Sequence, residues 1–133
     1  CFADNIASRL AAAKFQITAS PSGVLFNPES IASAIERYSR AAAPTAEELR
    51  EGDEGWYSFD FHSSLSHSER EVALAQMQQA VEQGAEALAK AKVVIVTFGT
   101  AWVYRLKENG RVVANCHKQP HADFAREMMS VER

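Results

Sequence analysis

The sequence predicts an α/β domain built on an open sheet, and three observations carry that expectation. The run Val93-Val94-Ile95-Val96-Thr97-Phe98 is β-branched and lacks polar alternation, the pattern of a strand covered on both faces, as in a parallel sheet. Apolar residues recur at helical spacing in several segments on either side of it. The resulting order (helix, strand, helix, long helix, buried strand, hairpin, helix) fits an open α/β sheet.

The elements follow in chain order. From Asp4 to Phe15, Ile6, Leu10, Ala13 and Phe15 fall near helical spacing in an Ala-rich segment, and Asp4 or Asn5 suits the positive end of the helix dipole. Thr18 to Gly23 carries Pro, Ser and Gly, a loop signature. Gly23-Val24-Leu25-Phe26 then reads as extended and stops at Asn27-Pro28. Pro28 sits where a helix starts, and Ile31, Ala34, Ile35 and Tyr38 continue it. Ala41 to Gly55 is polar, with a short capped turn at Thr45-Ala46-Glu47-Glu48. Trp56 to His62 is aromatic and reads as extended. Ser66 to Lys92 is the longest helical pattern, its stripe running through Val72, Ala75, Met77, Ala80, Val81, Ala85 and Leu88, with Gly84 as its weak point.

After the buried strand, Trp102 to Leu106 and Arg111 to Ala114 flank Lys107-Glu108-Asn109-Gly110. Asn-Gly between two such runs is the strongest short hairpin signal. Pro120 is expected to open a last helix, His121 to Glu132. One buried strand is too little sheet for this many helices, so further strands are expected outside residues 1–133. The opening Cys1, in place of Met, fits an internal segment of a longer chain.

Composition narrows the function classes. The 133 residues suffice for one domain. Fourteen basic and 17 acidic side chains leave a net charge of −3, which gives no electrostatic reason to expect nucleic acid or an anionic membrane as partner. The longest apolar run is strand-sized, far short of a membrane span. Two cysteines, Cys1 and Cys116, are too few for a disulfide framework and fit a reducing, cytoplasmic compartment. No cofactor is implied.

Ligands of open α/β sheets gather at the carboxyl ends of strands. Cys1 stands just before the first helix, where a preceding strand would end. Asn27 follows the second extended segment, and Gly99-Thr100-Ala101-Trp102 follows the buried strand. Asn115-Cys116-His117-Lys118 closes the hairpin and returns near the same edge. These segments, with His62, form the candidate site. Cys1, His62, Cys116 and His117 also offer four metal-ligand types, but adjacent Cys116-His117 is poor chelate spacing and no Cys-X-X-Cys is present; no metal is expected. Trp56, Tyr57, Phe59 and Phe61 read as a lid or core wall rather than a stacking platform for sugars.

Cys1-Phe2-Ala3-Asp4-Asn5-Ile6 resembles the end of the Gly-Ser-Cys-Phe-Ala motif that names the GSCFA family. Leu25 to Ile31, Trp56 with Ser58 to Ser63, Gly99 to Tyr104, and Asn115 to Lys118 with Pro120 resemble the same family's segments, in the same order. The family is similar to SGNH, or GDSL-like, esterases. That resemblance implies a flavodoxin-like three-layer α/β/α sandwich, here truncated and carrying an inserted β-hairpin, and a hydrolase acting on a small acyl ester, with a glycan ester suggested by analogy with other members of the esterase group.

It further implies that Cys1 occupies the position of the relatives' nucleophile, where a helix dipole would favour the thiolate. The rival assignments are a Ser preceding Cys1 and a merely structural Cys1. Gly99 matches the Gly of the relatives' Gly-X-Asn-Asp block, but the Asn position holds Ala101, so Asn115 is the nearest replacement donor. Asn27 corresponds to the block whose backbone N–H faces the oxyanion; its plain alternative is an Asn-Pro turn. His62 and His117 are read as pocket residues, with a satisfied structural histidine as the alternative. The relatives' Asp-X-X-His is absent from residues 1–133. A non-catalytic binding or scaffold domain is the competing function.

Overall fold

A computed structural model describes residues 2–131. Helix α1 (Phe2–Ala12) is followed by α2 (Pro28–Ser39), the short strands β1 (Arg50–Gly52) and β2 (Gly55–Tyr57), and the long helix α3 (Arg70–Lys90). Strands β3 (Trp102–Leu106), β4 (Val112–Val113) and β5 (Phe124–Met128) complete the chain, with 3-10 turns at Ala46–Glu48, Ser63–Leu65 and His121–Asp123. The described residues are thus a mixed helix–strand structure with two small sheets, β1-β2 and β4-β3-β5. Every strand pair in them is antiparallel.

Local signals set most boundaries. Helix α1 ends before Phe15 because Lys14 turns left-handed (φ 65°). The Lys14 and Phe15 N–H groups then bond the Ala11 and Leu10 carbonyls, capping the last turn. Helix α2 starts where Asn27 Oδ1 accepts from Ser30 N at 2.8 Å, with Pro28 as its first residue. The Thr45–Glu48 capping box forms as the sequence predicts. The Asn109-Gly110 hairpin also forms, Gly110 at φ 73° and Tyr104 opposite Val113. Strand β1 lies in a stretch read as a polar loop; the turn before Gly55 (φ 106°) folds it onto β2.

Two apolar clusters hold these elements. Leu49, Phe61, Ala73, Met77 and Val81 form one between α2 and α3. Tyr57, Phe59, Leu106, Val113 and Phe124 form the other against the three-stranded sheet. The aromatic segment 56–61 is the wall between them, Tyr57 and Phe59 facing the sheet and Phe61 facing α3. Helix α3 buries Ala73, Met77, Ala80, Val81 and Gly84 and leaves Ala75 exposed, a slight rotation from the stripe read in sequence. Gly84 is the point where Tyr38 of α2 lies on α3: a Cβ there would stand 2.5 Å from the Tyr38 ring.

Two expectations are corrected. Residues 121–132 do not form a helix; beyond the turn at His121–Asp123, β5 pairs with β3 from Leu106↔Phe124 to Trp102↔Met128. Helix-forming residues lose to the ladder because β5 satisfies the free edge of β3 and carries Phe124 into the second cluster. The run 93–98 is not a buried strand either. Val93, Val94, Ile95, Val96 and Phe98 are 76%, 55%, 61%, 42% and 63% exposed, and among the described residues none of its backbone groups is hydrogen-bonded. A strand is buried only by neighbours on both edges and both faces, and no described strand lies beside this one. No helix among the described residues is long and apolar enough to cross a membrane.

Candidate functional site

The predicted site residues fall into two clusters that share the segment 22–27. In the first, Asn115 Oδ1 accepts from His117 N at 2.8 Å, an Asx turn that bends the chain after the hairpin. His117 and Lys118 follow with φ 48° and φ 57°, consecutive left-handed residues with side chains, a conformation kept only where surroundings enforce it. What enforces it is the imidazole. It stacks on Tyr57 at 4.5 Å, and Nε2 lies 2.9 Å from Ser58 O and 3.0 Å from Phe61 O. Facing two carbonyls, Nε2 must carry the hydrogen, which leaves Nδ1 as the acceptor. Burial pushes the His117 pKa below the usual histidine value, the two carbonyl bonds acting the other way and nearby His62 adding to the decrease. His117 is therefore neutral near pH 7. Cys116, half-buried beside it, has its thiol pKa raised by burial and stays protonated.

His62 lies on the segment that His117 anchors. Its backbone N–H donates to Ser22 O at 3.0 Å, and its Nδ1 accepts from Ser64 N at 3.1 Å. Gly23 (φ 81°) presses on it so closely that a Cβ would come 2.2 Å from His62 Cβ. Only glycine fits there, on grounds of both space and backbone conformation. Ser22 is in turn held by the Tyr38 hydroxyl, 3.1 Å from its N and 2.5 Å from its Oγ. Burial raises the Tyr38 pKa, so the phenol stays protonated. A support thus runs from Gly84 through Tyr38 and Ser22 to His62. Asp60, two residues before His62, is bound by Arg37 at 3.0 Å and Arg111 at 3.3 Å.

In the second cluster, the Phe26 carbonyl accepts from Gly99 N at 2.8 Å and Thr100 N at 3.2 Å. The carboxyl ends of the extended segments 23–26 and 93–98 therefore meet at one point. Gly99 allows this approach, since a Cβ would lie 3.1 Å from Phe26 Cδ1. Adjacent Asn27 is 5% exposed. Its Oδ1 is committed to capping α2, while Nδ2 donates to no described residue. Thr100 Oγ1 accepts from Trp102 N at 3.0 Å, and the half-exposed Trp102 ring lies 4.0 Å under the Arg126 guanidinium.

The structure therefore joins His62 with His117 and Asn27 with Gly99 and Thr100. Lys118 stands apart: it is exposed and pairs with Glu54 at 2.5 Å. Asn115 Oδ1 shapes the turn before His117, and no bond joins Asn115 to Gly99 among the described residues. Cys1 lies outside the described residues. Among the described residues, no three His, Cys, Asp or Glu side chains group to hold a metal ion. Sequence reasoning missed Ser22, Tyr38 and Arg37. Gly84, read as a flaw in a helix, was the one available hint of the Tyr38 contact.

The GSCFA family model matches residues 1–133, the whole chain. The chain belongs to the GSCFA family. The GSCFA segments at 25–31 and 99–104 are the two that meet at the Phe26 carbonyl, and those at 58–63 and 115–118 are the two that His117 ties together. No curated protein and no solved structure matches the chain.

Proposed function

We propose that this GSCFA chain is part of an ester hydrolase of the SGNH-like kind, acting on a small acyl ester, with Cys1 as nucleophile. The observation that carries the reading is the meeting of the carboxyl ends of segments 23–26 and 93–98 at Phe26 O. That is the place where open α/β sheets bind ligands. In this reading the domain is of the flavodoxin-like kind that those esterases share.

In this reading the oxyanion is held by the side chain of Asn27 rather than by Gly99. Gly99 and Thr100 have spent their N–H groups on Phe26 O. Asn27 Nδ2 donates to no described residue, and the bond to Oδ1 fixes the plane of its amide. A preorganised amide donor of this kind stabilises the charge that develops on the carbonyl oxygen as the thiolate attacks. The acyl group passes to sulfur, the alcohol leaves with a proton, and water then releases the acid.

The test is hydrolysis of p-nitrophenyl acetate by the full-length protein, with alkylation of Cys1 by iodoacetamide from pH 5 to 8. Expected are rapid alkylation already below pH 7, loss of turnover in Cys1→Ala, and a drop in kcat of about 100-fold in Asn27→Ala. Alkylation that rises only near the ordinary thiol pKa of about 8.5, with undiminished hydrolysis in Cys1→Ala, overturns the reading. The second reading, a scaffold or binding domain without catalysis, is favoured by one observation: the backbone donors at Gly99 and Thr100 are already satisfied.

A further inference from the structure

A cavity of about 360 Å³ opens beside Tyr57, the ring on which His117 stacks. Its floor is apolar, from Phe59 and Leu106, and its rim carries Arg50, Lys107, Glu108 and Asp123, with Gln119 between them. This size sits at the small end of ligand pockets, which run from about 300 to 1,000 Å³. The rim charges cancel, two positive against two negative.

Tyr57 makes the cavity more than a surface dent. The residue is 5% exposed, yet its hydroxyl bonds no described residue. Burial raises the phenol pKa, while Arg50 pulls it down and Asp123 pushes it up. Arg50 and Asp123 line the cavity together with Tyr57. The ring is covered but the hydroxyl itself is not fully enclosed, so the cavity leaves it open to solvent and within reach of a ligand. Arg50 is held over Phe59 at 5.2 Å and paired with Glu108 at 3.0 Å, so it is fixed at the rim. Lys107 and Asp123 make no side-chain bond among the described residues. Gln119 Nε2 donates to His117 O at 3.3 Å, which ties the rim to the left-handed turn.

We propose that this cavity binds a neutral, hydroxyl-rich ring, a sugar unit, with Tyr57 Oη, Asp123 and Lys107 as its polar contacts. A ligand with net charge would leave one sign of the rim unanswered. A hydroxylated ring presents donors to Asp123 and acceptors to Lys107, and lays a C–H face on Phe59 and Leu106. The inference deepens the hydrolase reading by naming where a glycan part of the substrate would sit, but it stands on different residues.

The experiment is an amide chemical-shift titration of the full-length protein with N-acetylglucosamine and with methyl glucoside. It is repeated on Tyr57→Phe and Asp123→Asn, which remove one polar group each. Saturable shifts at Tyr57, Leu106, Gln119 and Asp123 are expected, weakened about two- to tenfold in each variant, the range for one lost hydrogen bond. If Tyr57→Phe does not fold, Asp123→Asn decides alone. No shifts at these residues, undiminished affinity in the folded variants, or equal shifts from acetate or free lysine overturn the proposal. Cys1→Ala separates the two readings. Sugar shifts that persist there while wild-type hydrolysis is absent sink the hydrolase alone; hydrolysis without sugar shifts sinks the subsite alone.

Discussion

Along α3, Ala73, Met77, Ala80, Val81 and Gly84 go under cover at helical spacing. A few residues later, Val93 to Phe98 carries a denser set of apolar side chains and stays open to solvent. The difference is not hydrophobicity. Helix α3 has one apolar stripe, and a single helix with one turn of partners, α2 and the 56–61 wall, suffices to cover it. The run 93–98 is apolar on both faces and has both edges unpaired, so it needs neighbours on four sides. Burial is a property of what surrounds a segment, and a one-sided pattern finds its cover far more readily than a two-sided one.

Substitutions on the two sides sharpen the contrast. Phe61→Ala, at 1% exposure between α2 and α3, is expected to cost about 3–5 kcal/mol in urea unfolding. A loss under 1 kcal/mol would mean that the helical side is loosely packed. Gly84→Ala gains helix propensity but drives a methyl into the Tyr38 ring; a net loss of about 1–3 kcal/mol is expected. Stabilisation instead would show that Tyr38 swings away freely. Tyr38→Phe removes the hydroxyl that holds Ser22 and should cost about 0.5–1.5 kcal/mol, with a change in the His62 ring signals in an NMR spectrum. Unchanged His62 signals would remove the support drawn from α2 to that residue.

The acid side gives a smaller effect. His117 has a folded pKa below its unfolded value of about 6.5. Below that pH the unfolded chain binds more protons than the folded one, so stability is full above pH 6.5 and falls as pH drops toward the folded pKa. Urea midpoints at pH 7.5 and 5 should therefore fall less in His117→Gln than in the parent, and an equal fall would count against the neutral, buried imidazole. At the bottom of the scale stands Ile95→Thr in the exposed run, expected within about 0.5 kcal/mol of the parent. A loss as large as that of Phe61→Ala would mean the run is packed in solution and would erase the comparison.

The sequence was most legible where chemistry is local. Asn27-Pro28 starts a helix because an oxygen and a missing N–H suit its first turn, and Asn109-Gly110 closes a hairpin because glycine takes the left-handed position. The candidate site was legible as sequence segments, and two pairs of them meet. Their chemistry was not. Nothing near Gly99 in the chain announces that its N–H is spent on Phe26 O, and nothing near His117 announces two carbonyls from residues 58 and 61.

By itself, then, the chain determined its helix starts, its capped turn, its hairpin and its kinship with the GSCFA family, because each rests on residues a few positions apart or on their identity and order. Tertiary structure alone decided that residues 124–128 pair as a strand despite helix-forming residues, that His117 is neutral with its hydrogen on Nε2, and that Gly84 seats a tyrosine. Each of those depends on groups brought from far along the chain. Hydrogen-bond partners and desolvation exist only once those groups are in place.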